Sequence, residues 1–158
     1  MGDLGACLKP GNRRGVERLA YIRDAFKSRL LEVPTHACIE GPSLYSVNRA
    51  DDLGQLRGVF LLLLYDMNIP TTVVPPSSLK KFATGNGNAS KERMVKSACK
   101  TFSLDVESDD IADALWLAQL AKGLCGDCPV TRKQMEVISG IRNPKTKRNV
   151  GSTRTPSI

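Results

Sequence analysis

The sequence predicts an α/β domain with a mixed sheet flanked by helices. Short apolar segments alternate with longer segments in which apolar residues recur every three to four positions. This alternation favours strands that are connected through helices. The chain has 158 residues, of which 41% are hydrophobic and 25% are charged. It is therefore long enough for one domain with a buried core.

The first half of the chain predicts two strands and two helices. Residues 3–9 (DLGACLK) predict a strand that a Pro-Gly turn ends. Residues 16–32 predict a helix, because apolar residues recur at helical spacing and basic residues cover the other side. The segment THACIE, 35–40, is a short apolar strand that ends in a glutamate. Residues 50–68 predict a second helix, with two aspartates near its start, where the helix dipole favours negative charge.

The second half predicts one more strand, followed by helices. Residues 69–76 contain the strand. Residues 77–102 predict a short helix, a glycine loop and another helix, for which Asn88 or Ser90 can serve as N-cap. An apolar helix occupies residues 108–123. Beyond it the periodicity weakens. We therefore expect the folded domain to span residues 1–124, and residues 125–158 to form a basic, partly disordered C-terminal tail.

Charge and hydropathy narrow the class of partner and the compartment. The formal net charge is +7, which favours a polyanionic partner, nucleic acid before an acidic membrane. A merely basic protein is the alternative. The longest apolar run, VFLLLLY at 59–65, is far too short to cross a membrane. We therefore expect no membrane partner. Five cysteines without the spacing of a disulfide framework indicate a reducing compartment, so we expect a cytoplasmic protein.

Three carboxylates are predicted to meet at one end of the sheet. Glu40 ends an apolar strand, and open α/β sheets hold their active sites at the ends of strands. Asp110 and Asp113 share one face of the helix at 108–123, which we expect to pack on the sheet. Such charges repel one another unless a cation lies between them, and carboxylate oxygens suit Mg²⁺ or Mn²⁺. A pair of such ions supports phosphodiester cleavage. The alternative makes Glu40 a loop carboxylate, Asp110 an N-cap and Asp113 a partner of the helix dipole.

Three segments, in order between about residues 9 and 122, together resemble the RuvC-type Holliday-junction resolvases, especially their phage-borne relatives: CIEGPSLYSVNRADDLGQLRG, VPPSSLKKFATGNGNASKERMV and DDIADALWLA. The resemblance implies a ribonuclease-H-like fold, a bacterial cytoplasmic location and a phage or prophage gene. It implies a homodimer, with residues 50–68 as the dimer helix, that cuts branched DNA during recombination and repair. Glu40, Asp110 and Asp113 then become catalytic acids and ligands of two Mg²⁺ or Mn²⁺ ions per subunit.

The resemblance is incomplete at the first acid of the family. That acid is an aspartate in an Ile-Asp-Pro-Gly or Ile-Asp-Pro-Ser motif of the first strand, and this sequence contains no such motif. Residues 2–24 instead resemble the family's third strand, its turn and the start of its first helix. We therefore expect an N-terminally truncated fold with one metal ligand fewer. The alternatives are a catalytically inactive junction-binding or remnant domain, and a ribonuclease-H-like nuclease with another substrate.

Basic and aromatic residues complete the predicted DNA-binding surface. A glycine loop that opens a helix offers backbone N–H groups to phosphate, and the loop TGNGNASK lacks the Gly-Lys-Ser/Thr order of a nucleotide-binding loop. We therefore expect DNA contacts and no nucleotide cofactor. In the family that the chain resembles, basic residues near this loop contact the DNA backbone and an aromatic residue stacks on bases. The predicted contacts are Lys80, Lys81, Lys91, Arg93, Tyr45 and Arg49, with an ordinary solvated face as the alternative.

Two other chemically active residue types are expected to be structural. The single histidine, His36, falls inside an apolar strand, where we expect it to stabilise the fold. The pair Cys125 and Cys128 has no second pair of ligands close by in the sequence, so we interpret it as a chance pair at a helix end and not as a zinc site.

Overall fold

The computed structural model describes residues 9–30, 32–42 and 50–144. These residues form six helices and two strands. In chain order they are α1 (Gly15–Lys27), β1 (Ala37–Glu40), α2 (Ala50–Asp66), β2 (Thr71–Val74), α3 (Pro76–Thr84), α4 (Lys91–Phe102), α5 (Asp109–Cys125) and α6 (Arg132–Arg142). None of these helices is long and apolar enough to cross a membrane. The strand predicted for residues 3–9 lies, except for its last residue, outside the described part of the chain.

The two strands pair in parallel and α2 connects them. Their register runs from Ala37 opposite Thr71 to Glu40 opposite Val74. The N–H of Gly41 adds one further bond to the carbonyl of Val74, at 2.8 Å. Parallel strands need such a crossover helix. The described sheet consists of these two strands, so the antiparallel part of the predicted mixed sheet falls outside the described residues.

Helix α5 runs through the centre of the core. It buries its apolar side against β1, α3 and α4, and Leu120 is fully buried. The ring of Trp116 meets those of Phe82 and Phe102 edge to face, with centroids 6.0 and 5.2 Å apart. Aromatic pairs prefer this geometry because the positive ring edge meets the negative face. The core therefore fixes α5, and with it the acidic N-terminal turn of that helix.

The prediction of a tail that begins at residue 125 is wrong for residues 132–142, which form α6. Thr131 caps this helix, because its hydroxyl accepts the N–H of Gln134 at 3.3 Å and the Gln134 side chain accepts the N–H of Thr131 at 2.9 Å. Val137 and Ile138 are buried in the same core as α5. Two signals for this helix were present in the sequence: the capping pair Thr131 and Gln134, and apolar residues at helical spacing from Met135 to Ile141. Residues 145–158 lie outside the described part.

The contact between α5 and α6 depends on a glycine. A Cβ atom on Gly123 would lie 3.0 Å from Cδ1 of Ile138 and 3.2 Å from Cγ1 of Val130. We expect Gly123→Ala to lower the free energy of unfolding by about 1–3 kcal/mol, because α6 must shift to admit the methyl group. The control is Gly140→Ala, whose Cβ would meet no atom within 4 Å, and which should stabilise α6 by up to about 1 kcal/mol. Urea denaturation measures both, and equal effects would contradict the close contact.

Candidate active site

Helix α5 begins after a serine N-cap, and its first turn contains acidic residues. The hydroxyl of Ser108 accepts the N–H of Ile111 at 3.3 Å, and the helix begins at Asp109. Asp110 is therefore inside the helix, and the alternative that made it the N-cap is wrong. Asp113 lies one turn further on, where the dipole effect of the helix start has faded. The serine cap thus leaves Asp113 unexplained, whereas Asp110, in the first turn, complements the helix dipole.

Glu40 occupies the carboxyl end of β1. It is the last residue of the strand, paired with Val74 of β2, so it is not a loop carboxylate. Because β1 packs against α5, the strand end and the acidic turn of the helix belong to the same side of the domain. The carboxyl ends of parallel strands are where open α/β folds place their ligands.

The acids of β1 and α5 lie in one negative region. The pKa of Glu40 is raised, first by burial and then by the charge of Asp113, with a smaller contribution from Asp110. The pKa of Asp113 is raised by burial and then by the charges of Asp109 and Asp110. Ionising Glu40 or Asp113 therefore lowers the stability of the folded protein, and a bound cation would offset this loss.

The donor chemistry of this region suits a divalent ion. Its carboxylates are hard oxygen ligands of the kind that Mg²⁺ and Mn²⁺ prefer. Burial first, and neighbouring negative charge second, raise the pKa of Glu40 and of Asp113. Within residues 9–30, 32–42 and 50–144, however, no three His, Cys, Asp or Glu side chains are arranged to hold a metal ion. Glu40, Asp110 and Asp113 thus share an electrostatic environment without forming a complete ligand cluster.

Lys80 faces this acidic region. It lies on α3, which Leu79 and Phe82 anchor in the core, and it is half-buried. Its positive charge lowers the pKa of both Glu40 and Asp113. The sequence predicts Lys80 as a DNA contact, and the structure places its charge beside Glu40 and Asp113.

The other predicted DNA contacts are spread around the acids. Lys81 is exposed and lines a cleft between α3, β2 and α6. Arg93 is exposed on α4, and Lys91, the first residue of that helix, forms an ion pair with Asp109. Tyr45 and Arg49 lie outside the described residues. Lys81 and Arg93 are thus open to solvent, whereas Lys91 is paired with an acid.

The glycine loop between α3 and α4 uses three of its amide groups internally. Asn86 donates its N–H to the hydroxyl of Thr84 at 3.2 Å, Asn88 donates to the side-chain oxygen of Asn86 at 3.0 Å, and Ala89 donates to the Asn86 carbonyl at 3.2 Å. Gly87 permits a close approach, since a Cβ there would lie 3.1 Å from the carbonyl oxygen of Ser77. These three N–H groups are therefore not available to phosphate, contrary to the expectation from the sequence. Ser90 caps α4, as predicted.

The histidine and the paired cysteines have structural surroundings. Nε2 of His36 lies 2.9 Å from the hydroxyl of Thr72 on the neighbouring strand. Cys125 is the last residue of α5, and the Sγ of Cys128 accepts a hydrogen bond from the side chain of Gln119 at 3.3 Å. The first contact joins the residue before β1 to β2, and the second joins α5 to the segment that follows it.

Sequence comparison identifies the family. The family model for the crossover junction endodeoxyribonuclease RuvC matches residues 6–120. The chain belongs to the RuvC family. Curated RuvC proteins agree: the one from Synechococcus sp. (strain CC9311) is 29% identical over 111 residues, 69% of each chain. The one from Chloroflexus aggregans (strain MD-66 / DSM 9485) is 33% identical over 122 residues, 73% of each chain.

Structural comparison confirms the fold of the RuvC family. The Thermus thermophilus RuvC structure matches with a TM-score of 0.63 and 21% identity, over 78% of this chain and 79% of that chain. The same protein, solved in complex with its Holliday junction substrate, matches equally well. The predicted ribonuclease-H-like fold is thus confirmed. The RuvC match includes Glu40, Asp110 and Asp113, and it ends before α6.

Asp109 was not among the residues predicted from the sequence. The structure places it beside these acids, because it forms an ion pair with Lys91 and its charge raises the pKa of Asp113. One signal was present in the sequence: Lys91 follows the N-cap serine of its helix, where the helix dipole disfavours a cation. A lysine in that position needs a negative partner, which a linear pattern does not identify.

Proposed function

We propose that this chain is a divalent-metal-dependent endonuclease that resolves four-way (Holliday) DNA junctions by phosphodiester hydrolysis in recombination and repair. One observation carries the proposal. In a chain of the RuvC family, Glu40 at the end of β1 lies close enough to Asp113 on α5 that the charge of Asp113 raises the pKa of Glu40, after the larger effect of burial. The net charge of +7 supports a polyanionic substrate.

The acids and Lys80 have separate roles in this proposal. Glu40, Asp110 and Asp113 would hold the metal ions. A pair of such ions lowers the pKa of a bound water and neutralises charge on the leaving oxygen. Lys80 lowers the pKa of Glu40 and Asp113, so it favours the ionised forms that can bind a cation. The exposed Lys81 and Arg93 would contact the DNA backbone and orient the junction.

We also propose that the chain acts as a homodimer, so that two sites nick opposite strands. The predicted dimer helix corresponds to α2, whose Leu63 and Leu64 are buried within the subunit. The ring of Phe60 packs on that of Phe26, with centroids 4.9 Å apart. By contrast, the side chains of Leu62 and Tyr65 are 62% and 78% exposed. This apolar surface supports a second copy as the partner of α2.

A catalytically inactive junction-binding domain is the second candidate. It is favoured by the lack, in the part of the chain that the structure describes, of any three side chains arranged to hold a metal ion. It would retain the basic surface and bind branched DNA through phosphate contacts.

A labelled four-way junction separates these candidates. With Mg²⁺ or Mn²⁺, we expect paired nicks in opposite strands, no nicks in a linear duplex of the same sequence, and no cleavage in EDTA. A shifted junction that stays intact with either ion would support the inactive binding domain. Preferential cleavage of an RNA–DNA hybrid would instead indicate a nuclease of the same fold with another substrate.

A further inference from the structure

An ion pair joins the N-terminal turns of α4 and α5. Nζ of Lys91 contacts Oδ2 of Asp109, and the two side chains are 76% and 33% exposed. Each residue is the first of its helix and directly follows a serine N-cap, Ser90 for α4 and Ser108 for α5. The pair therefore connects two helix ends whose backbone positions the caps already fix.

The ion pair adds little to the stability of the fold, but it fixes the position of the Lys91 ammonium. Ion pairs this exposed contribute little to stability, because water screens the two charges. Lys91 also stands at the end of α4 that the helix dipole makes positive, which is unfavourable for a cation. Without Asp109, its long and flexible side chain would lose its ion pair and keep only the weaker attraction of Asp110 and Asp113.

The pair lies at the border of the acidic region. Asp109 precedes Asp110 in the chain, and the charges of Asp109 and Lys91 both act on Asp113, in opposite directions. Lys91 is thus the cation that α4 brings to the acids, as Lys80 is the cation from α3.

We propose that Asp109 is a positioning residue for the cleavage reaction, which holds the Lys91 ammonium at the border of the acidic region where the DNA phosphate is bound. This inference rests on the proposed function. It follows that Asp109 has opposite effects on binding and on cleavage. Its negative charge repels the DNA backbone and so weakens binding, while its hold on Lys91 keeps a cation in the reactive geometry.

The test compares Asp109→Asn, the conservative control Asp109→Glu and Lys91→Gln. Binding of the junction is measured in Ca²⁺, and cleavage is measured in Mg²⁺ in a single turnover with the protein saturating. We expect Asp109→Asn to bind as tightly as the wild type or more tightly, and to cleave about tenfold more slowly. Asp109→Glu should recover most of the rate. Asp109→Asn combined with Lys91→Gln should be no slower than Lys91→Gln alone, because both changes remove one interaction.

A second readout does not depend on catalysis. Asp109 raises the pKa of Lys91, so NMR titration of the Lys91 ammonium should give a lower pKa in Asp109→Asn. An unchanged Lys91 pKa would overturn the inference. Two results of the cleavage assay would also overturn it. One is an Asp109→Asn variant that cleaves as fast as an active wild type. The other is a double variant in which the losses of rate from the two substitutions add up. If the wild type does not cut the junction, the proposed function fails, and the NMR result alone decides whether Asp109 holds Lys91.

Discussion

Asp113→Asn is expected to abolish junction cleavage while leaving junction binding intact. The substitution keeps the size of the side chain and removes one of the oxygens that would hold the metal, so we expect the single-turnover rate to fall by about a thousandfold or more. Binding should persist because the basic residues on α3 and α4 are unchanged. Cleavage and mobility-shift assays on the same labelled junction measure both quantities. A variant that cuts at the wild-type rate would remove Asp113 from the reaction.

The same variant should be more stable than the wild type in metal-free buffer at neutral pH. Because the folded pKa of Asp113 is raised by burial and by neighbouring acids, its contribution to stability is fully present below the ordinary aspartate pKa of about 3.9. It is lost as the pH rises from there through the raised folded value. The advantage of Asp113→Asn should therefore vanish in acid. Added Mg²⁺ should stabilise the wild type and not the variant.

Trp116→Ala is expected to have the largest effect on folding. The indole is 2% exposed and packs against Phe82 and Phe102, so its removal should cost about 3–5 kcal/mol. That is a large part of the roughly 5–15 kcal/mol that keeps a domain folded. Because Trp116 is the only tryptophan of the chain, far-UV circular dichroism and not fluorescence should follow the urea denaturation.

The matched control is Trp116→Phe. It keeps an aromatic ring and removes the indole N–H, which has no hydrogen-bond partner among the described residues. The loss of ring volume is therefore partly offset by the loss of an unpaired buried donor, and we expect a cost of less than about 2 kcal/mol. If both substitutions destabilise the fold equally, the aromatic cluster does not hold α5 in place.

The elements that carry the acids could be predicted because each has a strong local signal. The apolar run before Glu40 predicts a strand, and the apolar segment of residues 108–123 predicts a helix. The loop between α3 and α4 was recognisable from its glycines. The family resemblance supplied the expectation that these segments meet, and the structure brings Glu40 and Asp113 into one electrostatic region.

Helix α6 was missed although it has local signals: the capping pair Thr131 and Gln134, and apolar residues at helical spacing behind it. The other features that escaped prediction depend on contacts that spacing does not report. The link between Lys91 and Asp109 joins two helices. Three amide groups of the glycine loop donate to Thr84 and Asn86, which depends on side-chain orientation.

The hydrogen bonds within the glycine loop bear on how the protein would meet DNA. Since Thr84 and Asn86 already form hydrogen bonds across the turn, the segment is ordered by its own contacts before any encounter. Binding of DNA there would need little further ordering of this segment, which would keep the entropic cost of association low. Such a surface would favour DNA shapes whose phosphates match the spacing of its charges.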